Sequence, residues 1–358
     1  MVPNRPVSPS SPQPTAKFEG SISVADILLE QVDENGQLRW KVNAKKADYT
    51  RDKKIALVAN PEGELFQDGK LVYRISSQKG EIQQDGDKIF LKENVIATDV
   101  QSGAVLRGEE LEWRPKEDIL IIRHNLIGTH KQLDVFANEG RAFTRLRRME
   151  LLGNVVAKTK EPVLELRTEH VIWEMEQELA FANRPVQIAR YQGNTIIERA
   201  TASQGKVNLK TKIATLSQNA RVTLSEPPLD VASEELIWNV PAETVSSQQS
   251  VTVLHRQQQL HFRGERGNLD IKQKICYLLG NVVGVESRRQ SQLTSERLTW
   301  YIPSKYIEAE GNVVYRQLNP PFNVSGTKAV GKLEDQTVVV TNNKGQVQME
   351  ILPEEKGW

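Results

Sequence analysis

Four asparagines share a fixed spacing to a glycine and to a tryptophan. Each lies fourteen residues after a glycine and nineteen residues before a tryptophan. The glycines are Gly80, Gly140, Gly205 and Gly267, the asparagines are Asn94, Asn154, Asn219 and Asn281, and the tryptophans are Trp113, Trp173, Trp238 and Trp300. A fixed period means that one supersecondary unit is stacked on copies of itself. We therefore expect the function to lie along a long surface and not in one catalytic pocket.

The period divides into two halves. Turn-like positions recur every 29 to 34 residues and define ten half-repeats of about 31 residues, which cover the chain from about residue 22 to residue 352. These anchors are Pro61, Asn94, Asn125, Asn154, Pro185, Asn219, Ser250, Asn281, Asn312 and Gly345. Short runs with a two-residue alternation, bounded by Gly, Asn, Pro and Ser, are typical of β-strands. The sequence predicts an all-β protein in which each half-repeat is built from strands joined by turns.

The alternation also predicts which side chains face inward. The first and third positions after the anchors are mostly apolar, whereas the second positions include polar residues such as Gln187 and Arg221. Successive side chains of a strand point to opposite faces, so the odd positions face the interior. The inward positions singled out are Val95, Ala97, Leu126, Val155, Ala157, Val186, Ile188, Val222, Val251, Val253, Val282 and Val313. Such a set fits either a solid core or an apolar trough.

The composition excludes several classes of function. With 47 Lys+Arg against 46 Asp+Glu, the formal net charge of +1 gives no strong field for nucleic acid or an anionic membrane. The single cysteine, Cys276, excludes an internal disulfide framework. The five histidines form no cluster with the spacing of a zinc site, and no phosphate loop or nucleophile motif is present. We expect no enzyme activity, no cofactor and no metal site.

Two stretches of the chain resemble known families. Residues 22–100 resemble the periplasmic domain of the LptC family of lipopolysaccharide transport proteins, in the segment Leu38–Tyr49, in Asn60-Pro61, in Gly80-Glu81-Ile82 and in Glu93-Asn94-Val95. Residues from about 103 to 352 resemble the LptA, or organic-solvent-tolerance (OstA-like), family. There, the run Gly264–Leu269 leads into Gly280-Asn281-Val282. The pattern recurs in register along nearly the whole chain.

The resemblance implies a domain organisation. Residues 1–17 contain five prolines and three serines and form a flexible linker, which suggests an anchor or signal upstream. Residues 18–100 begin an LptC-like β-jellyroll, residues 101–352 continue the same stack with LptA/OstA-like repeats, and residues 353–358 form a tail. The chain is longer than the single jellyroll usual for LptC. Its role as an extended LptC, an LptC–LptA hybrid or an LptA-like bridge segment stays open.

The resemblance also implies a fold and a function. Family members form an elongated β-jellyroll, or β-taco, in which two antiparallel sheets make a V and lipid acyl chains slide through the apolar trough between them. The inward residues would then line this trough. The protein would pass lipopolysaccharide, or a related envelope lipid, through the periplasm from an inner-membrane ABC transporter toward the outer membrane.

The two ends of the stack are candidate docking edges, because a terminal strand carries unpaired N–H and C=O groups. Ile22 and Val24 mark the N-terminal edge, which would face the transporter. Val347 and Met349 mark the C-terminal edge, which would face an LptA-like bridge or an outer-membrane assembly protein. A structural envelope spacer and a carbohydrate-binding β-solenoid are the alternatives. A closed gap between the sheets would favour the spacer.

Overall fold

A computed structural model describes residues 22–83, 85–287, 290–318, 321–332, 337–342 and 349–350. The described residues are almost entirely β, with one 3₁₀ turn at Pro115–Glu117. The strands are β1 (Ile22–Val32), β2 (Leu38–Tyr49), β3 (Ile55–Ala59), β4 (Glu62–Gln67), β5 (Lys70–Ser76), β6 (Lys79–Gln83), β7 (Ile89–Asp99), β8 (Val105–Arg114), β9 (Ile119–Thr129), β10 (Leu133–Phe143), β11 (Arg148–Thr159), β12 (Leu164–Glu174), β13 (Leu179–Ala182), β14 (Val186–Gln192), β15 (Thr195–Ala202), β16 (Gln204–Asn208), β17 (Ile213–Leu224), β18 (Leu229–Asn239), β19 (Thr244–Ser247), β20 (Val251–His255), β21 (Leu260–Gly264), β22 (Arg266–Asp270), β23 (Ile275–Glu286), β24 (Ser291–Tyr301), β25 (Tyr306–Gln317), β26 (Phe322–Lys332), β27 (Thr337–Thr341) and β28 (Met349–Glu350).

The chain meanders, and each pass across the molecule pairs with the pass before it. We call one pass a rung. A rung is either a single long strand, such as β7, or two short strands in line, such as β5 and β6. Fourteen single strands and six such pairs make twenty rungs between β1 and β26, all of them antiparallel to their neighbours. At about 4.8 Å per rung, this stack is roughly 90 Å long. The prediction of an elongated all-β jellyroll is confirmed.

The repeated asparagines lie in corners within long strands. In β7, both Glu93 and Asn94 adopt left-handed backbone angles, with φ of 64° and 52°. The pairing register shifts at this point, between Lys92 and Val95. The same two-residue step occurs at His124-Asn125, Gly153-Asn154, Gln218-Asn219, Gly280-Asn281 and Gly311-Asn312. Asparagine and glycine recur here because they tolerate positive φ better than other residues.

The interpretation of these asparagines as turns was therefore wrong in one respect: the strand bends there and does not reverse. A bulge of this kind bends a strand sharply. The two halves of β7 have different partners, since Ile89–Lys92 pair with β6 whereas Ile96–Asp99 pair with β5. We call the sheet that contains Ile96–Asp99 sheet A and the sheet that contains Ile89–Lys92 sheet B. The corners form the closed side of the V, and the turns between rungs form its open side, the mouth.

The interior of the V is packed over most of its length. Eleven of the twelve inward residues singled out from the sequence are buried, and Ala157 is half-buried. Trp113, Trp238 and Trp300 are at most 1% exposed. One core cluster extends from Trp40 to Val171 and a second from Ala182 to Ile307. The sheets thus enclose a filled core on both sides of the junction between the two clusters. If the V contains an open trough, we expect it at that junction.

The two ends differ in what the structure describes. β1 pairs with β2 and leaves its other edge without a partner among the described strands. Ile22 is 52% exposed and Val24 is 38% exposed. At the other end, Met349 lies in β28 and pairs with Val340 of β27, whereas Val347 lies outside the described residues, as do segments 1–17 and 353–358. Strands β7 and β8 pair across the division at residue 100, so the stack continues there without a break.

Candidate functional site

An apolar cavity of about 350 Å³ lies between the sheets at the junction of the two core clusters. Sheet A contributes residues of β10, β11, β12 and β14, and sheet B contributes residues of β11, β12, β13, β16, β17 and β18. Its apolar lining consists of Leu133, Val135, Leu151, Ala157, Pro162, Leu164, Leu166, Val171, Trp173, Ala180, Ile188, Val207, Leu209, Ala214, Trp238 and Val240.

Small side chains account for the opening of the core at this place. Ala180 and Ala214 stand five residues before their anchors, where Ile89, Leu120 and Met149 stand in earlier repeats. An alanine in place of a leucine or methionine removes several carbon atoms, and a rigid β framework does not collapse fully to fill the space. Both alanines line the cavity, although Ala56, at the same position before the anchor Pro61, is fully buried in the packed core.

Trp173 shows the consequence of this missing volume. Its equivalents Trp113, Trp238 and Trp300 are fully buried, whereas Trp173 is half-buried and lines the cavity. The indole ring makes an edge contact with His130, with ring centroids 6.2 Å apart. Trp173 and Trp238 both line the cavity, and Trp173 is the more exposed of the two.

The mouth of the cavity is polar and basic. Lys131, Lys160 and Glu161 come from turns of sheet A, and Lys212 comes from a turn of sheet B. Lys212 Nζ donates to the backbone oxygen of Glu161 over 2.8 Å, so this contact crosses the mouth. Lys160 Nζ lies 3.6 Å from Asp134 Oδ1. An apolar interior below a charged rim has the polarity of a site for an amphiphile.

The pKa of His130 is lowered by burial and by the positive charges at this rim. Burial lowers the pKa of its imidazole, and the positive charges of Lys131 and Lys160 lower it further, against smaller opposing effects of Asp99 and Glu178. The imidazole is therefore neutral at neutral pH, because even its ordinary pKa lies near 6.5. The positive charge of the rim comes from the lysines alone.

Ion pairs join the two sheets across the mouth on either side of the cavity. Arg147, in a sheet B turn, donates to Asp99 of sheet A over 2.7 Å. Arg190 of sheet A bonds to Glu243 in a sheet B turn over 3.0 Å, and to its neighbour Glu198 over 3.0 Å. Further along, Lys274 of sheet B lies 3.0 Å from Glu226 of sheet A.

These cross-mouth contacts share a sequence offset. The residues joined are 48 apart for Asp99–Arg147, 51 for Glu161–Lys212, 53 for Arg190–Glu243 and 48 for Glu226–Lys274. The regular offset shows that, at these four contacts, sheet A faces a stretch of sheet B about three rungs further along the chain. The contacts hold the mouth at intervals, and the cavity opens between the first and the third of them.

The pKa values of the two buried carboxyl groups at the mouth, Asp99 and Glu198, are shifted in opposite directions. Burial of Asp99 opposes its charged form, but the Ser102 N–H and the Arg147 guanidinium outweigh burial and lower the pKa of the carboxyl group. Burial raises the pKa of Glu198, and Arg190 offsets this effect only in part because it also serves Glu243. The surroundings of Asp99 therefore favour its charged form, whereas those of Glu198 disfavour its charged form.

A second, smaller cavity of about 80 Å³ lies near the C-terminal end of the stack. Leu260, Phe262, Ile307 and Tyr315 are among the residues that line it. It occupies the region where the second core cluster gives way to a third, formed by Ala309, Val313, Ala329 and Val340. Between the two cavities the core is closed, so the apolar space is not continuous.

The described part of the chain contains neither a metal-ligand cluster nor a reactive thiol. No group of three His, Cys, Asp or Glu side chains is placed there to hold a metal ion. Burial raises the pKa of the Cys276 thiol to about 12, so the reactive thiolate is scarce at neutral pH. A search of the same residues finds no helix with the length and apolar character needed to cross a membrane.

The sequence singled out only part of the cavity lining. Of the inward residues, Ala157 and Ile188 line the cavity, and the other ten lie elsewhere in the packed interior. Sequence reasoning missed Leu164, Leu166 and Trp173 as lining residues. The change to alanine at positions 180 and 214 was the available signal for them. A role of the inward residues in contacting lipid stays a prediction.

One comparison with known proteins identifies relatives. The family model described as lipopolysaccharide-assembly, LptC-related, matches residues 7–120 and, a second time, residues 118–226. Together the matches extend over residues 7–226, more than half of the chain, and they include most of the cavity lining. The second match covers residues that resembled LptA/OstA-like repeats in the sequence. No curated protein matches the chain.

Proposed function

This chain belongs to the LptC-related family of lipopolysaccharide-assembly proteins, and from that premise we propose that it is a periplasmic lipid carrier. Its family assigns it to lipopolysaccharide transport. The proposal adds that the cavity between the sheets receives acyl chains of lipopolysaccharide or a related envelope lipid. The carrier performs no catalytic step and needs no cofactor.

The observation that carries this proposal is the apolar cavity below a charged rim. At about 30 Å³ for each water-sized group, 350 Å³ holds roughly a dozen methylene-sized groups. Each methylene removed from water contributes about 0.8 kcal/mol, so the cavity offers an acyl chain on the order of 10 kcal/mol before the costs of ordering it. This is enough for a holding site that releases its cargo again.

Passage beyond the cavity requires the sheets to part. The packed core on either side leaves no space for an acyl chain, since residues such as Leu111, Leu216 and Leu229 are fully buried. The cross-mouth contacts are the only polar links that parting would break near the cavity, within the described residues. We infer that the lipid moves as neighbouring stretches of the mouth open in turn.

The ends of the stack are the proposed docking edges. The outer edge of β1, which has no partner among the described strands and exposes Ile22 and Val24, suits an added strand from the inner-membrane ABC transporter. The C-terminal edge is assigned to an LptA-like bridge or an outer-membrane assembly protein. Attachment of the N-terminal side to the inner membrane is part of the same proposal.

Photo-crosslinking in cells tests the carrier function. A benzophenone amino acid at Leu166 or Ala157, which line the cavity, should label lipopolysaccharide. The matched control is Arg221, an exposed outward residue of β17. A probe at Val282, in the packed core, should label only during active transport, because the sheets must open first. Equal labelling at Leu166 and Arg221, or none at Leu166, would favour a structural spacer.

A further inference from the structure

The rim of the cavity concentrates positive charge. Lys131, Lys160 and Lys212 line it together with one carboxylate residue, Glu161, which gives a local balance of +2. The whole chain of 358 residues carries only +1. The charge therefore stands out against a neutral background, at the one place where the larger apolar cavity opens.

The three ammonium groups are incompletely neutralised. Lys212 bonds to a backbone oxygen of Glu161, which is a neutral acceptor. Lys160 is 3.6 Å from Asp134, a longer separation than a hydrogen-bonded pair has. Lys131 is exposed and forms no ion pair within the described residues. Each lysine can thus accept an anion without first breaking a close ion pair.

The lysines also act on the same small volume. Lys131 and Lys160 both lower the pKa of His130, so their charges converge near this imidazole. Lys160 N–H donates to the backbone oxygen of Gln132, which holds the two sheet A turns side by side. Lys212 reaches the same turns from the opposite sheet. The positive groups therefore surround the mouth from both sides.

We infer that Lys131, Lys160 and Lys212 form an anion-binding collar that selects amphiphiles with a phosphate-bearing headgroup for the cavity. The inference builds on the proposed carrier function and specifies its ligand. An acyl chain enters the apolar space while the phosphate replaces the Glu161 oxygen as the partner of Lys212. The contact between Lys212 and Glu161 then ceases to bridge the mouth, so binding of the headgroup and opening of the mouth are coupled.

Calorimetric titration of the full chain tests the collar with two probes that share one alkyl chain. Dodecyl phosphate carries an anionic headgroup and dodecyl maltoside a neutral one, and both are used below their micelle-forming concentrations. In the variant with Lys131→Gln, Lys160→Gln and Lys212→Gln, dodecyl phosphate should bind about tenfold more weakly at low salt, since each exposed charge pair contributes modestly and salt screens it. Affinity for dodecyl maltoside should change less than about twofold.

Two control variants separate the collar from the cavity. Substitution of the exposed Lys53, Lys70 and Lys272 by Gln removes the same net charge in or beside turns that do not line the cavity and should leave both affinities unchanged. Ala180→Leu fills the cavity and should weaken both probes. Inorganic phosphate alone should compete poorly with dodecyl phosphate, because it lacks the chain.

The possible results are distinguishable. Equal loss of dodecyl phosphate binding in the collar and control variants, or no loss in either, overturns the collar and leaves the carrier function standing if Ala180→Leu weakens both probes. Strong competition by inorganic phosphate, with no effect of Ala180→Leu, describes a site for free phosphate and overturns both proposals. Failure of both probes to bind the unaltered chain also overturns both.

Discussion

Arg147 and Asp99 lie 48 residues apart in the chain and join the two sheets across the mouth, with Nη1 of Arg147 2.7 Å from Oδ2 of Asp99. The Asp99 side chain is 3% exposed and that of Arg147 is 14% exposed. The pair also lies beside the buried Tyr73, whose pKa is raised by burial and by the charge of Asp99. A charge pair so well shielded from solvent depends on the presence of both partners.

Removal of one partner should therefore be costly. In Arg147→Met, the buried Asp99 carboxylate loses its cation, and we expect the free energy of unfolding to fall by about 3 kcal/mol. Urea denaturation followed by tryptophan fluorescence measures this change. The pair of the exposed Arg74 with the half-buried Glu64 serves as control, since Arg74→Met should cost less than about 0.5 kcal/mol. Similar losses in the two variants would contradict the structural role of the Asp99–Arg147 pair.

The two buried carboxylates of the mouth predict opposite dependences on pH. The pKa of Asp99 is lower in the folded chain than in the unfolded chain, so its ionised form stabilises above the unfolded value and this contribution is lost as pH falls through the folded pKa. The pKa of Glu198 is raised on folding. Its contribution is therefore favourable only at low pH and is lost as pH rises through the folded pKa.

Neutral amides should reveal this difference. We expect Asp99→Asn to lower the melting temperature at pH 7 and Glu198→Gln to leave it unchanged or raise it, because Arg190 keeps Glu243 as a partner. The Asp99→Asn difference should shrink as the pH falls from about 4 through the lowered folded pKa of Asp99, whereas the Glu198→Gln difference should shrink as the pH falls below the raised folded pKa of Glu198. Thermal unfolding across this range checks the prediction. Destabilisation by Glu198→Gln at pH 7 would contradict it.

The corner asparagines allow a test of the V itself. Asn154 has a φ of 48°, which a β-branched residue adopts only with strain. We expect Asn154→Val to lower the free energy of unfolding by about 2 kcal/mol and Asn154→Gly to lower it by less than about 1 kcal/mol. Urea denaturation of both variants provides the measurement. Equal effects would contradict a role of the backbone angle, because the backbone N–H of residue 154 can keep its bond to Glu169 in both variants.

Much of the fold could be predicted from the sequence because strand side chains alternate with a period of two. Once the anchor positions were set, the alternation placed Val95, Leu126 and Val282 inside, and each is at most 1% exposed. The nature of the anchor was harder to predict. Asparagine favours both turns and left-handed bulges, so the spacing alone did not separate a reversal from a corner.

The candidate site was less predictable, for two physical reasons. The same inward positions occur in packed and open stretches, and only the summed volume of facing side chains decides between them, as Ala180 and Ala214 show. Contacts across the mouth, such as Glu161–Lys212, join residues about three rungs apart. That offset depends on how the two sheets are set against each other, which no local pattern in the sequence records.

A cavity-filling substitution separates stability from transport. Ala180→Leu should raise the free energy of unfolding by about 1 kcal/mol, because the added carbons fill existing space. It should also reduce lipid labelling by a probe at Leu166. Ala47→Leu, at a fully buried position of the packed core, should instead destabilise by about 1–3 kcal/mol. Unfolding and crosslinking of the two variants give the comparison. Destabilisation by Ala180→Leu would mean that the cavity is too narrow for an acyl chain.

The N-terminal edge gives the final prediction. Ile22 and Val24 of β1 are exposed on a strand whose outer edge has no partner among the described strands. Charged residues on an edge strand discourage the addition of a further strand. We expect the double variant Ile22→Lys and Val24→Lys to fold normally by circular dichroism and to lose co-purification with the inner-membrane transporter. Leu146→Lys, in a sheet B turn and 61% exposed, is the matched control and should retain it. If both variants co-purify equally well, this edge does not dock the transporter.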